Sequence, residues 1–412
     1  MAIMDSLITA AARALSAGDP LGALKCVGLR DDPPALALRG IALAQLEDFD
    51  RARALLKRAG RGFGASEPVA RARCVVAEAE IALVSRDLGW VEKALDRARR
   101  ILEQRGDHVN AAHARQLEIR HVLLTGQFEQ AEQMLSEINP HILPPILQIS
   151  HKMILFGIAV RRLQAGVARA ALERANHLAQ AAKLPVLIAE IEKAYVTLNA
   201  PAARLITKGE ERLVILQEVE DLMASDMLVI DACRYGVRQG QVAISLSTRP
   251  VLFSLLRILG ESWPKDAPRD SLLSGAFGAR YVDETHRARL RVEIGRLRKL
   301  IRVFANITAT DSGFILKPKS VGQDKPVMVL LPPMEDNNAN ILALLADGEA
   351  WSSSALAIVL DTSARTVQRA LEELVRAGKV QAIGRGRARR WTSPPPPGFT
   401  TTLLLPGRLP VD

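Results

Sequence analysis

Residues 285–302, THRARLRVEIGRLRKLIR, decide how the C-terminal half of this 412-residue chain is read. Leu290, Ile294, Leu297 and Ile301 recur at i, i+4, i+7 and i+11, a single apolar stripe along an α-helix. Around the stripe stand Arg287, Arg289, Arg291, Arg296, Arg298, Lys299 and Arg302, against one acid, Glu293. A helix anchored on one side and cationic on the others suits a nucleic-acid groove, where each neutralised phosphate releases counterions. A solvated charged helix is the bland reading of the same run. The flanking sequence weighs against it.

Upstream, MLVIDACRYGVRQGQVAISLS (227–247) is rich in Val and Ile, with Gly236 and Gly240 as turn candidates, and predicts short antiparallel strands. Ser247-Thr248-Arg249-Pro250 then caps a helix over 251–259, with Pro250 tolerated in its first turn. A second helix is expected near 269–277, and the cationic helix follows. ITATDSGFILKP (307–318) reads as strand, turn around Asp311-Ser312-Gly313, and returning strand.

In that order of elements, and in the run AFGARYVDETHRARLRVEIGRLRKLI (276–301), residues 227–318 resemble the OmpR/PhoB-type winged-helix effector domain. The resemblance implies that Arg296 and Arg298 contact DNA, and that Thr310 or Ser312 in the wing touches phosphate or the minor groove. Such domains usually follow a phosphoacceptor receiver. Here the upstream half reads as helical, without a strand-borne acidic cluster, so control by aspartyl phosphorylation is not expected. Gly295, in mid-helix, costs about 1 kcal/mol relative to Ala. It either permits close approach to a phosphate or a neighbouring helix, or is drift.

After a linker over 319–337, a second unit spans 338–393. NANILALLADGEAW predicts a helix stopping at Gly348. Next come a capped helix, a turn at Asp361-Thr362, and a helix with Val367, Leu371, Leu374 and Val375 as its buried stripe, capped by Ser363 and ended by Gly378. VQAIGRGRARRWT supplies two strands around a Gly-Arg-Gly turn. This resembles the general bacterial winged helix-turn-helix. Ser363, Arg365, Thr366, Gln368 and Arg369 lie where such proteins place base-edge contacts. Arg385, Arg387, Arg389 and Arg390 crowd the hairpin and can fork onto phosphate or enter a narrow minor groove. Protein docking is the competing use of this unit. Trp391 reads as hairpin core rather than a stacking platform, and residues 394–412 as a Pro-rich tail.

Residues 1–226 are almost balanced in charge, and nearly all of the +10 excess lies in 227–412. The first half needs another explanation. GIALAQLEDFDRARALLKRA (40–59) places small Gly40 where two helices approach, then Ala52, Leu56 and Ala59 as contacts. Related spacing returns at Ala94/Ala98/Ile101, Ala131/Leu135/Ile138 and Ala168/Leu172/Ala175. Gly18-Asp19-Pro20, Asp31-Asp32-Pro33-Pro34, Gly126-Gln127 and Asn139-Pro140 mark helix breaks. The pattern resembles the tetratricopeptide repeat, with longer spacing, and implies a solenoid over 1–184 that binds a peptide, a helix or a second subunit, or serves only as scaffold. GEERLVILQEVEDLM, within 185–226, predicts an amphipathic connecting or dimer helix.

The expected fold class is therefore mainly α: a TPR-like α-solenoid followed by two small α+β winged-helix domains. Only 4% of residues are aromatic, which favours packed helices over β-sandwiches. Cys26, Cys74 and Cys233 are isolated, reading as buried thiols in a reducing cytosol, and the histidines lack metal-ligand spacing. No metal or cofactor is expected. Neither a signal peptide nor a membrane-spanning run is apparent, so a cytoplasmic, nucleoid-associated location is expected. The sequence lacks a phosphate-binding Gly loop, a GxSxG elbow and an HExxH motif, which argues against an enzyme. A DNA-binding regulator with double-stranded DNA as partner is the leading expectation, and a protein-interaction scaffold the alternative.

Overall fold

The computed structural model describes residues 6–84, 92–124, 127–277, 284–319, 326–333, 338–345, 351–360, 362–383 and 389–392. The chain is mainly helical, with a small mixed-sheet region. Helices α1 (Ser6–Ser16), α2 (Pro20–Val27), α3 (Pro33–Gln45), α4 (Phe49–Gly62), α5 (Pro68–Val84) and α6 (Glu92–Gln104) come first. They are followed by α7 (His108–Leu124), α8 (Phe128–Ser136), α9 (Pro145–Arg161), α10 (Ala165–Ala181) and α11 (Pro185–Asn199). Several starts are written locally: Asp19 and Asp32 accept from the Gly22 and Ala35 amides at 2.8 and 3.3 Å, and Pro20 and Pro33 sit in the first turn.

Sequential helices pack on one another, and α1, α3, α5, α7 and α9 also touch in series. Odd-numbered helices such as α3, α5 and α9 thereby bury several faces, whereas α4 buries only Ala52, Leu56 and Ala59. Gly40 allows the approach of α3 to α4, since a Cβ there would stand 3.0 Å from Leu56 and 3.1 Å from the Ala52 carbonyl. Ala131, Leu135, Ala168, Leu172 and Ala175 are buried as the spacing requires. The second unit differs: Leu95, Ala98 and Leu102 are buried, while Ala94 and Ile101 are half-buried. There the stripe is shifted by one residue on either side of Ala98.

The expected amphipathic helix within 185–226 is corrected. After α11, strands β1 (Pro201–Thr207) and β2 (Glu210–Ile215) form a hairpin, so that of the expected helix over 209–223 only the part in α12 (Leu216–Ala224) is helical. Lys208 and Gly209 both have positive φ, +51° and +82°, the backbone of a two-residue type I′ turn. Leu213, Leu216 and Val219 have helical spacing by accident of a strand–helix junction. Leu213 is half-exposed on the strand, whereas Leu216 and Val219 are buried.

Next come β3 (Leu228–Asp231), β4 (Gly236–Gln239) and β5 (Val242–Ser245), an antiparallel meander as expected. Helix α13 (Pro250–Ser262) starts at Pro250, but Arg249 precedes it without a side-chain cap, and Ser247 hydrogen-bonds Ser245 instead. Then follow β6 (Ala267–Pro268), α14 (Arg269–Phe277), α15 (Glu284–Ile301), β7 (Ala305–Ala309) and β8 (Gly313–Pro318). The linker expectation over 319–337 is corrected by β9 (Val327–Leu331), buried at every position. VMVLL, bounded by Pro326 and Pro332, is the continuous apolar run of a strand covered on both faces.

Strand β9 completes a six-stranded sheet of order β2-β1-β9-β3-β4-β5, parallel to β3 and antiparallel to β1. Alternation sorts its side chains onto two cores. Val327, Val329 and Leu331 join Leu228 and Ile230 against α13, while Met328 and Leu330 join Val229 and Leu205 against α12. Gly260 lets α13 lie close, because a Cβ would come 2.4 Å from Ile230 Cδ1 and 2.9 Å from Val329 Cγ2. Helix α12 also joins the sheet to the helical array: Glu220 Oε2 accepts from the Ala165 and Gly166 amides at 2.7 and 3.3 Å, capping α10 where Gln164 supplies no side-chain cap.

The last elements are α16 (Ala339–Leu345), α17 (Ser353–Val359), α18 (Ala364–Arg376), β10 (Gln381–Ile383) and β11 (Arg390–Thr392). Val367, Ala370, Leu371 and Leu374 form the buried stripe of α18. Val375, expected in that stripe, is 37% exposed because its position turns away from the core. Gly378, at φ +69°, follows the helix, as its sequence position suggests. Among the described residues, no helix is long and apolar enough to cross a membrane.

Candidate nucleic-acid interface

Helix α15 is held by the stripe its sequence announces. Leu290, Ile294, Leu297 and Ile301 are all buried in a core shared with Leu252, Leu255 and Leu256 of α13. At about 100° per residue, Val292 and Lys299 lie opposite that stripe, Ala288 and Gly295 on one side of them and Arg296 on the other. Val292 is 54% exposed. Among the described residues, nothing beyond its own chain neighbours and helix backbone lies within 4 Å of a Cβ built on Gly295, so no described neighbouring helix explains the glycine. The outward face thus carries Val292 and Lys299 at its centre, small Ala288 and Gly295 on one flank and Arg296 on the other.

The cations of α15 differ in how they are held. Arg287, Arg289, Arg291, Arg296, Arg298 and Lys299 are exposed. The Arg289 guanidinium sits 4.7 Å from the Phe277 ring centroid, which fixes it over the end of α14. Arg296 Nη1 donates to Glu293 Oε1 at 2.8 Å, an exposed guanidinium on a mostly covered carboxylate. Arg298, though exposed, is also anchored. Its Nε donates to the Ile307 carbonyl at 2.8 Å, and its guanidinium lies 5.9 Å from the Phe314 ring centroid, so it ties α15 to the hairpin.

That hairpin, β7–β8, pairs with β6 in a three-stranded sheet of order β6-β8-β7. Gly313 is required by close approach, since a Cβ there would fall 1.8 Å from the Ala267 carbonyl oxygen. The tip is locked from outside the hairpin. Thr310 Oγ1 donates to Asp266 Oδ2 at 2.5 Å, and Ser312 Oγ donates to the same oxygen. Arg269 donates to the carbonyls of Asp311 and Thr310 at 2.6 and 2.8 Å. The Ser312 and Thr310 hydroxyls hold the Asp266 carboxyl below the usual carboxylate range. Thr310 and Ser312, expected to touch phosphate or the minor groove, stand together at this tip and both hydrogen-bond Asp266. Both hydroxyls point at the Asp266 carboxylate, with the Arg269 guanidinium at the same tip.

In the second unit, Ser363 Oγ accepts from the Thr366 amide at 3.0 Å and lies 2.8 Å from Thr366 Oγ1, so both hydroxyls build the N-cap of α18. Arg365, Gln368 and Arg369 are exposed on its first turns, with Gln368 Nε2 3.5 Å from Glu372. Trp391 is buried and donates from Nε1 to Ser353 Oγ at 2.8 Å, the core role expected of it. Arg389 stacks 4.3 Å from the Trp391 ring centroid, and Arg390 donates to the Arg389 carbonyl at 3.1 Å. Arg385 and Arg387 lie outside the described residues. At the end of β10, Ile383 packs against the apolar cluster of α5–α9.

Sequence reasoning missed Asp266 and Arg269, which fix the hairpin tip, and Val292, which faces outward. Only Val292 had a signal, its position off the apolar stripe. Comparison with family models, curated proteins and solved structures gave no match for this chain.

Proposed function

We propose that this chain is a bacterial-type transcriptional regulator that reads duplex DNA with two winged-helix modules, 227–318 and 338–393, and is controlled or assembled through a TPR-like array over 1–184. The observation that carries this reading is α15: four buried apolar anchors on one side, exposed arginines and Lys299 on the others. On the scale of a major groove, which admits one α-helix, Val292 suits a thymine methyl and Arg296 a guanine edge. Arg291 and Lys299 suit phosphates, while Arg289 and Arg298 serve to hold the helix in place. In α18, Arg365, Gln368 and Arg369 fill the equivalent role, with Ser363 and Thr366 shaping the turn.

A duplex-binding titration by fluorescence anisotropy, first on a randomised pool and then on selected sites, tests the reading. Affinity should fall steeply and linearly in log[salt]. Arg296→Ala should cost about 1–3 kcal/mol on a selected site and little on random duplex. Lys299→Ala should weaken both alike and lower the salt slope by about one. Salt-independent or absent binding refutes the proposal.

A second reading, protein docking by the 338–393 unit, draws on Ile383. Its packing on the α5–α9 cluster puts the end of β10 against protein. A gel shift in which Arg369→Ala changes nothing while Arg296→Ala abolishes binding favours this division of labour.

A further inference from the structure

A cavity of about 210 Å³ lies within the helical array, among α5, α6, α7 and α8. It is partly open to solvent rather than an enclosed void. It exists because α5 presents two alanines, Ala79 and Ala82, where larger side chains would fill it. Leu95, Leu117, Val122 and Met134 close the other sides, making the wall predominantly apolar. An apolar occupant of such a cleft gains by removing that wall from water.

The polar groups at the edge set the charge of an occupant. Asp96 accepts from Arg99 Nη2 at 2.7 Å, and Glu118 accepts from Arg99 Nε at 3.0 Å and Arg115 Nη1 at 3.2 Å. Both carboxylates are ion-paired with arginine, Arg99 being shared with Glu103 and Arg115 with Glu137, so neither stands without a cationic partner and an anion meets a carboxylate-rich edge. The Asp96 side chain is 40% exposed, which marks the route from solvent. His121 lies at the same edge.

We propose that this cavity is a binding site for a small, neutral, mostly apolar molecule. Scaling from a cavity of roughly 150 Å³ that accepts benzene, the occupant has about eight or nine heavy atoms. Ala79, Leu83, Leu95 and Leu117 belong both to the wall and to the apolar cluster on which Ile383 rests. Filling the cavity repacks that surface and so links the array to the 338–393 unit. This link rests on the DNA-reading proposal; the binding itself does not.

The test is a titration of the full chain with ethylbenzene, read from the methyl NMR signals of Leu95, Leu117, Val122 and Met134. Saturable shifts with a Kd on the order of 0.1–1 mM are expected for a probe this small. Benzoate, similar in size but charged, should leave those signals in place. Ala82→Phe fills the space and should weaken ethylbenzene at least tenfold while leaving the thermal midpoint unchanged or raised. Should that variant fail to fold, Ala79→Leu, a smaller filling, reads the same loss. Absent saturable shifts, equal affinity in the folded filled variant, or equal binding of benzoate overturns the proposal. A chain that binds ethylbenzene but no duplex overturns the reader function and leaves the site standing; one that binds duplex but no ethylbenzene does the reverse.

Discussion

Replacing Gly295 separates the fold of α15 from its use. Gly295 is interior to an 18-residue helix, and among the described residues nothing beyond its chain neighbours and own helix backbone lies within 4 Å of the Cβ it lacks. Gly295→Ala therefore gains the helix propensity without a clash, about 0.5–1 kcal/mol. Gly295→Gln gains almost as much, because glutamine is also a good helix former, but it projects a long side chain beside Val292 and Lys299. If that face enters a groove, the glutamine blocks close approach and lowers affinity at least tenfold, about 1.4 kcal/mol. Hydrogen exchange of the amides over 294–301 measures the first effect, and anisotropy titration of a selected duplex the second. Opposite signs are expected: slower exchange and weaker binding in one protein. Faster exchange would mean that something packs on Gly295 after all. Unchanged DNA affinity in Gly295→Gln would remove this face from the interface.

Three further perturbations test the frame around it. Gly260→Ala should destabilise by about 1–2 kcal/mol although alanine is the better helix former, because overpacking against Ile230 and Val329 outweighs the propensity gain; urea denaturation gives the sign. Glu220→Ala removes the cap of α10, costing about 0.5–2 kcal/mol, and should speed amide exchange at Ala165 and Gly166 first. His151, whose pKa is pulled from 6.5 down to about 4 by burial and by Lys152, is neutral in the folded array at pH 7. Since the unfolded chain takes up the proton first, stability is intact above 6.5. It should fall by up to about 3 kcal/mol as pH drops from 6.5 to 4. His151→Gln should flatten that part of the stability–pH curve.

What the sequence made legible is what repeats at short range. The period of Leu290, Ile294, Leu297 and Ile301 identifies α15 and its buried side, and the Asp-Pro starts locate α2 and α3. The strand β9 was hidden because five apolar residues are diluted by the Lys, Pro and Asn around them when the linker is judged by composition. The β1–β2 hairpin was hidden by three apolar residues whose spacing matches a helix across a strand–helix junction. The candidate site was legible as a set of cations but not as a set of roles. Arg298 finds its carbonyl at Ile307, and Thr310 and Ser312 find Asp266 more than forty residues upstream. No local pattern encodes a partner that only the folded chain brings near. Glu220 at the end of α10 is hidden for the same reason.

The position of β9 also orders events in time. Without it, the hairpin β1–β2 and the meander β3–β5 share no edge, since every hydrogen bond joining them runs through residues 327–331. Val229 must wait for Met328, about 100 residues later on a growing chain, before the two halves of the sheet can close. Until then both halves carry an open edge, while the array before them is built from neighbours in sequence and needs no such wait. During synthesis the helices are thus the early, self-sufficient part of the molecule. The unit bearing α15 is the late one, most exposed to misassembly, and it is the part that slow translation or a chaperone would help most.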